Sequence, residues 1–327
     1  MKKLILSFLL LSAIIIMSAC GVSNQSHDIY VTVYPLKYVA EEILKDTDYT
    51  VGIVPGVTSH ESSVDWSPKE IIAMTEATYL FYVGANYDYY IDYQIDSIFI
   101  NKDVQLIKIE LETDYIEFIP GLIHEHDHED EHTEESEPLN TTALGVDPHF
   151  WISPLKILEV SELVYDKLIL AYPEEETTLT ENYMSLVALL SELHDEYAAA
   201  ISKLTKPVMT STNLYGYLLH DYGLHYMPIS PGYHEESDQF TTQQKEEVVS
   251  EAVYHEIRYI IYEKYTTSPL SNAVFSELTL LGLGPIKVEF NILQSITKDD
   301  VNLGKNYVTV MYENLELLKA AGEYQEG

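Results

Sequence analysis

Twelve histidines and a single cysteine are the residues of this 327-residue chain whose types invite a search for chemistry. Four of the histidines, His124, His126, His128 and His132, fall in the run HEHDHEDEHTEESE over residues 124–137, among eight acidic residues. The pattern H-E-x-x-H occurs twice there, as His124-Glu125-x-x-His128 and His128-Glu129-x-x-His132. A metalloprotease needs that pattern on a rigid helix, so that both imidazoles meet one zinc beside the general base. This run is charged throughout and has no apolar stripe to dock a helix, so the matches are what a tract rich in His, Glu and Asp produces by chance. The run predicts a disordered loop that gathers metal weakly through neutral imidazoles among carboxylates. No enzymatic activity is expected from it.

Two other histidines stand at informative places. His60 follows Val54-Pro55-Gly56, a strand running into a turn. His149 lies in Asp147-Pro148-His149-Phe150-Trp151-Ile152-Ser153-Pro154, just before a predicted helix. An imidazole on such a loop can reach into a cleft, and in its neutral form it is a good zinc ligand. A surface or capping histidine is the plainer alternative for each. The cysteine, Cys20, excludes an internal disulfide. It closes a basic and then apolar stretch, Lys2-Lys3 followed by Leu4 to Met17, through the small residues Ser18 and Ala19. That is a signal peptide over residues 1–20, too short for an ordinary spanning helix. Small residues running into a Cys resemble a bacterial lipobox, with Met17 where Leu is usual. Cys20 is then the lipidated residue, and residues 21–28 form a polar tether.

The formal charge of −35 excludes nucleic acid, whose phosphates need clustered Lys and Arg, and argues against attraction to anionic lipid. It suits the attraction of cations. With 46% hydrophobic residues the chain can bury a sizeable core.

The elements that would position these groups alternate. Strands are predicted at Ile29–Tyr34, Tyr49–Val54, Tyr79–Val83 and Gln105–Ile109, with helices from Leu36 and from Ser67-Pro68. A helix over Leu155–Ala171 follows. Leu179, Tyr183, Leu186, Leu190, Leu193, Tyr197, Ile201 and Leu204 then recur at steps of three and four, predicting a long amphipathic helix of about 30 residues. Beyond Pro207 the alternation restarts, with strands at Val208–Thr212, Tyr226–Ile229, Tyr259–Tyr262 and Lys287–Ile292 and a last helix over Asn306–Ala321. The expected fold is α/β: a lobe over 29–172, a linking helix over 173–205 and a lobe over 206–327, each with a mainly parallel sheet. Ligands of open α/β sheets bind outside the carboxyl ends of strands, so the two sets of ends would face a common cleft. The 27 tyrosines are spread through strands and helices and read as packing residues.

Several segments carry a resemblance. Tyr34-Pro35-Leu36, Val54-Pro55-Gly56-Val57 with His60, Ser67-Pro68-Lys69-Glu70-Ile71, the Asp147 to Pro154 motif, Tyr215-Gly216-Tyr217-Leu218 and Asn306-Tyr307-Val308 are similar to the zinc/manganese substrate-binding lipoproteins of bacterial ABC importers. The resemblance implies two α/β lobes on a stiff linking helix, gripping one metal ion with imidazoles and a terminal carboxylate. His60 and His149 match the first two ligand positions. The third position falls on Thr212, and the fourth on Asn291 or Gln294, none of them a usual zinc ligand. His234, in the loop after the Tyr226 strand, is the candidate to compensate. His194, His220, His225 and His255 read as structural or surface residues. The implied function is capture of Zn²⁺, with Mn²⁺ as second choice, by a lipid-anchored monomer that delivers it to a membrane permease. The alternative is a degenerate member with weak or no metal binding that serves as adhesin, metal chaperone or metal-chelate binder.

Overall fold

The computed structural model describes residues 26–57, 64–119, 145–233 and 241–326. Cys20 with the leader, His60, His234 and the four histidines of the acidic run lie outside them.

Two sheets form, each of four parallel strands. The first contains β1 (Ile29–Val31), β2 (Val51–Ile53), β3 (Tyr79–Tyr82) and β4 (Gln105–Lys108) in the order β2-β1-β3-β4. The second contains β5 (Val208–Thr210), β6 (Tyr226–Pro228), β7 (Tyr259–Glu263) and β8 (Ile286–Phe290) in the matching order β6-β5-β7-β8. In both, the order reverses after the second strand, between β1 and β3 and between β5 and β7. That switch point is where a crevice opens outside the carboxyl ends of a parallel sheet.

Most strands are shorter than the apolar runs that predict them. The run from Ile29 to Tyr34 stops pairing at Val31 because Tyr34 turns its N–H to the Gln294 carbonyl (3.1 Å) and opens helix α1 (Tyr34–Ile43). Pro35 fits the first turn of that helix, where its missing N–H costs nothing. Helix α2 (Pro68–Thr75) begins as its sequence predicts: Ser67 Oγ accepts the Glu70 amide and the Glu70 carboxylate accepts the Ser67 amide. The tether is expected to reach residue 28, but its last residues belong to the lobe. Asp28 Oδ2 accepts both the amide (2.8 Å) and the hydroxyl (2.9 Å) of Thr50, and His27 packs edge-on to Tyr30.

Helix α3 (Pro154–Ala171) is capped by Ser153, whose Oγ accepts the Lys156 amide. The linking helix is shorter than the segment 173–205 assigned to it. Pro173–Glu175 make a tight 3-10 turn, helix α4 runs over Glu176–Ile201, and Leu204 falls beyond its end. Its 26 residues span about 39 Å. The stripe Leu179, Leu186, Leu190, Leu193 and Tyr197 is buried as predicted. It lies against α1 of the first lobe, α3, and α8 (Tyr307–Ala321) of the second. One apolar core therefore runs through both lobes along α4, while smaller cores on the outer sheet faces centre on Leu80 and Met74 and on Met209 and Ile260. The second lobe also contains α5 (Gly216–Tyr222), α6 (Thr242–Tyr254) and α7 (Pro269–Leu280). Among the described residues no helix is long and apolar enough to cross a membrane.

Candidate metal centre

His149 ends a loop that the following turn pins in place. Phe150–Ile152 form one 3-10 turn, with the Ile152 amide on the His149 carbonyl (3.1 Å). Trp151 donates its indole N–H to the Ile292 carbonyl (2.8 Å), and the Tyr307 hydroxyl donates to the Trp151 carbonyl (2.7 Å). Both partners belong to the second lobe, so the motif is fixed from across the cleft.

The imidazole of His149 is wholly buried at 0% exposure. Its Nδ1 lies 2.8 Å from Asp147 Oδ1, which also accepts the His149 amide (2.9 Å). An ionised carboxylate only accepts, so Nδ1 carries the proton and Nε2 keeps the lone pair that a metal would use. Asp147 is itself held. Its amide donates to the Ile116 carbonyl (2.9 Å), and its carbonyl accepts the Tyr217 hydroxyl (2.9 Å) from α5. A β-carbon on Gly216 would stand 2.9 Å from Asp147 Oδ2, so only glycine allows this approach of the lobes. The imidazole is walled edge-on by Tyr87, Trp151 and Tyr233, at centroid distances of 6.0, 5.4 and 4.7 Å.

The second lobe supplies the opposite wall. Thr212 is buried at 2% exposure just beyond β5. Asn213 beside it donates to the carbonyls of Ile119 (2.9 Å) and Pro231 (3.0 Å) and accepts the Tyr226 hydroxyl. Asn291, expected as a possible ligand, shapes a turn: its Oδ1 accepts the Leu293 amide (3.0 Å), and Leu293 takes φ +58°. Gln294 does reach the cleft. Its side chain reaches the Tyr87 hydroxyl, to which it is hydrogen-bonded. Glu263, the last residue of β7, is 9% exposed, and its amide donates to Ser211 Oγ (3.2 Å). Burial, then the charge of Asp88 and, more weakly, that of Glu263, push the Tyr87 hydroxyl well above its ordinary value.

The described segments that stop at residue 119 and resume at residue 145 meet at this site. The Phe118 amide donates to the Gly145 carbonyl (2.9 Å), Glu117 bridges Val146, and the Phe118 ring packs on Tyr233 (4.9 Å). Phe118 and Gly145 thus lie beside a ring that touches His149. Of the other histidines, His194 meets the Tyr222 hydroxyl (3.0 Å), His220 pairs with Asp221 and His255 with Glu251. These are structural contacts, in keeping with their sequence positions. Among the described residues no three of His, Cys, Asp and Glu converge as a metal-ligand set. Sequence reasoning passed over Asp147, Tyr87 and Tyr233 as site residues. The spacing Asp-x-His was a usable signal for the first, since a carboxylate two residues before a histidine can orient its ring. The two tyrosines carried none.

Two parallel α/β lobes, a long linking helix and a buried, carboxylate-oriented imidazole make up this architecture. The chain belongs to the ZnuA family, zinc-uptake complex component A, periplasmic, whose family model matches residues 29–321. It is 27% identical over 336 residues to the zinc-binding lipoprotein AdcA of Streptococcus pneumoniae, a match covering 100% of this chain and 62% of that protein. It is 23% identical to the high-affinity zinc uptake system protein ZnuA of Bacillus subtilis, over 95% of each. Among solved structures, the Zn(II)-bound ZnuA-like domain of the pneumococcal AdcA superposes with a TM-score of 0.68 at 24% identity, covering 91% of this chain and 100% of that one. The chain therefore spans less than two thirds of the pneumococcal protein but all of its ZnuA-like domain.

Proposed function

We propose that this protein captures Zn²⁺ in the cleft between its lobes, outside the cytoplasm, and delivers it to the membrane permease of an ABC importer. The observation that carries the reading is His149, an imidazole buried between the lobes with its tautomer set by Asp147. A zinc-binding histidine almost always donates its other ring N–H in this way, and here the prepared ring is buried at the junction of the lobes. His60 supplies the second imidazole on this reading, with His234 or water completing the sphere. Zinc is preferred to manganese because imidazole suits zinc while carboxylate and water suit manganese. No chemistry is performed on the ion. Titration calorimetry with Zn²⁺ tests the proposal. Tight binding at one equivalent is expected, with weaker extra equivalents that disappear when residues 124–137 are deleted. Absence of any tight equivalent would sink the reading, and its loss on loop deletion would transfer the site to the acidic run.

Lipidation at Cys20 would hold the protein beside its permease. Stable anchoring needs two acyl chains, since a single chain binds a bilayer only marginally. Cys20→Ser protein should therefore appear in the medium or remain unprocessed in cell fractionation. Recovery of a normally cleaved Cys20→Ser chain in the membrane fraction would refute the anchor.

A further inference from the structure

By its place in the chain the His149 motif precedes the linking helix and counts with the first lobe, but the hydrogen bonds around it run to the second. Trp151 is gripped twice: its indole N–H donates to the Ile292 carbonyl (2.8 Å), and its carbonyl accepts the Tyr307 hydroxyl (2.7 Å). The Asp147 carbonyl accepts the Tyr217 hydroxyl (2.9 Å). Ile116, which accepts the Asp147 amide, donates its own amide to that same hydroxyl (3.3 Å). At the start of α3, Ser153 Oγ donates to Asp221, and the Leu155 amide donates to the Tyr222 hydroxyl (3.0 Å). These partners stand on α5, on α8 and in the loop after β8, all in the second lobe. What the first sheet brings to the motif is ring packing, with Tyr87 edge-on to His149 (6.0 Å) and to Trp151 (5.2 Å).

Helices α3 and α4 pack along each other, and their ends divide between the lobes in the same way. Late in α3, Lys167 pairs with Glu112 (3.6 Å), and just beyond it Tyr172 donates to Thr78 (3.0 Å). Early in α4, Asn182 donates to the Ile43 and Lys45 carbonyls at the end of α1 (3.1 and 2.6 Å). Late in α4, Tyr197 donates to the Met311 carbonyl of α8 (2.7 Å). The connector is therefore a pair of helices, and the His149 motif sits at its second-lobe end. At 0% exposure the imidazole is out of reach of an incoming ion until something moves. Parting a buried hydrogen bond leaves polar groups unsatisfied, whereas an edge-on ring contact has no donor to strand. Between the first sheet and the motif with its loop stand the Tyr34 amide on the Gln294 carbonyl (3.1 Å), the Tyr87–Gln294 bond and the Tyr115 hydroxyl on the Val83 carbonyl (2.8 Å).

We propose that the cleft opens between the first sheet and the His149 motif, so that His149 travels with the second lobe and acts as that lobe's zinc ligand. The ligand role rests on the zinc-capture reading. It explains how a lobe with Thr212 and Gln294 at the expected ligand positions still closes on the ion with an imidazole. Tyr217 and Tyr307 are the positioning residues, since their hydroxyls hold the backbone on either side of His149. The motion required is a small slide of the first sheet and α1 across the helix pair, a shear of packed helices.

Hydrogen exchange followed by NMR tests this on the whole protein, with and without Zn²⁺. The Tyr34 amide and the Trp151 indole N–H both donate to the loop after β8, one from the first sheet and one from the motif. Without metal, Tyr34 should be protected at least about 100-fold less than Trp151, because lobe opening frees only the former. Saturating Zn²⁺ should raise the protection of Tyr34 at least about tenfold and leave Trp151 within about threefold. Equal protection of the two, or an equal response to zinc, would place His149 with the first lobe and overturn the proposal. Tyr307→Phe should speed Trp151 exchange at least about tenfold. The Trp66 indole, bonded to the Pro55 carbonyl inside the first lobe (2.9 Å), should keep its parent rate. An equal change at Trp66 would make Tyr307 a residue of general stability and refute its positioning role. Should Tyr307→Phe fail to fold, Tyr217→Phe is read by the same thresholds. The expected metal-free pattern with no response to Zn²⁺ at either proton would keep the docking of the motif but remove the zinc-capture reading, and with it the ligand role.

Discussion

His149→Ala is expected to weaken the tight zinc equivalent by at least about 1,000-fold, because it removes a ligand from a sphere of four. The fold should survive the change, since the turn around position 149 is held by backbone and by Trp151 and Tyr307. Asp147→Asn gives the graded version of the experiment. The amide can still accept through its oxygen, but it can also present N–H to Nδ1 and reverse the tautomer, leaving Nε2 protonated and unable to coordinate. Loss of about 10- to 100-fold is expected, the usual cost of disturbing a group that orients a metal ligand. Calorimetry on both variants decides the point. Parent-like affinity in His149→Ala would make the buried imidazole a packing residue, and the capture reading would need another ligand.

The second large effect concerns stability. Asp88→Ala should cost about 3 kcal/mol near pH 5, at roughly 1 kcal/mol or more for each of three buried donors left without an acceptor. Those donors are the Thr32 hydroxyl (2.6 Å) and the Val83 (2.6 Å) and Gly84 (2.8 Å) amides. They lie just beyond β1 and β3, so Asp88 clamps the switch point of the first lobe. It also restrains a turn in which Gly84, Ala85 and Asn86 all have positive φ (+85°, +50° and +59°), an unfavourable region for the latter two. Burial pushes the Asp88 carboxyl up to about 6, against the pull of its hydrogen bonds. A carboxyl raised above its unfolded value contributes its stability fully in acid and loses it as pH rises through the folded value. The deficit of the variant should therefore shrink between about pH 4 and pH 7. Urea melts at several pH values measure it, and a deficit under about 1 kcal/mol at pH 5 would show that water replaces the carboxylate at no great cost.

Much of the architecture was legible because it is written locally. The capping box at Ser67 and Glu70, the buried stripe of α4 and the Ser153-Pro154 start of α3 each depend on residues within a few positions of one another. Strand ends were read too long, as at Tyr34, because a strand stops where its partner stops and not where its own β-branched residues do. The motif around His149 was legible as a motif, but its chemistry was not. The partner that orients the ring, Asp147, is held by Tyr217, 70 residues further on. Asn291 looked as eligible as Gln294, and only the turn closed by its Oδ1 separates them.

What the sequence by itself determined is the parallel α/β alternation, the capped starts of helices such as α2 and α3, and the motif that contains His149, all consequences of periodicity, capping and turn chemistry acting over a few residues. What only the tertiary structure decided is which side chains share a cleft. Pairing Glu263 with Phe290, setting Tyr87 and Tyr233 edge-on to His149, and bringing Gly216 against Asp147 each join segments separated by tens of residues or more. Such neighbours are set by strand register and by the packing of both lobes on α4, to which no local pattern of residues corresponds.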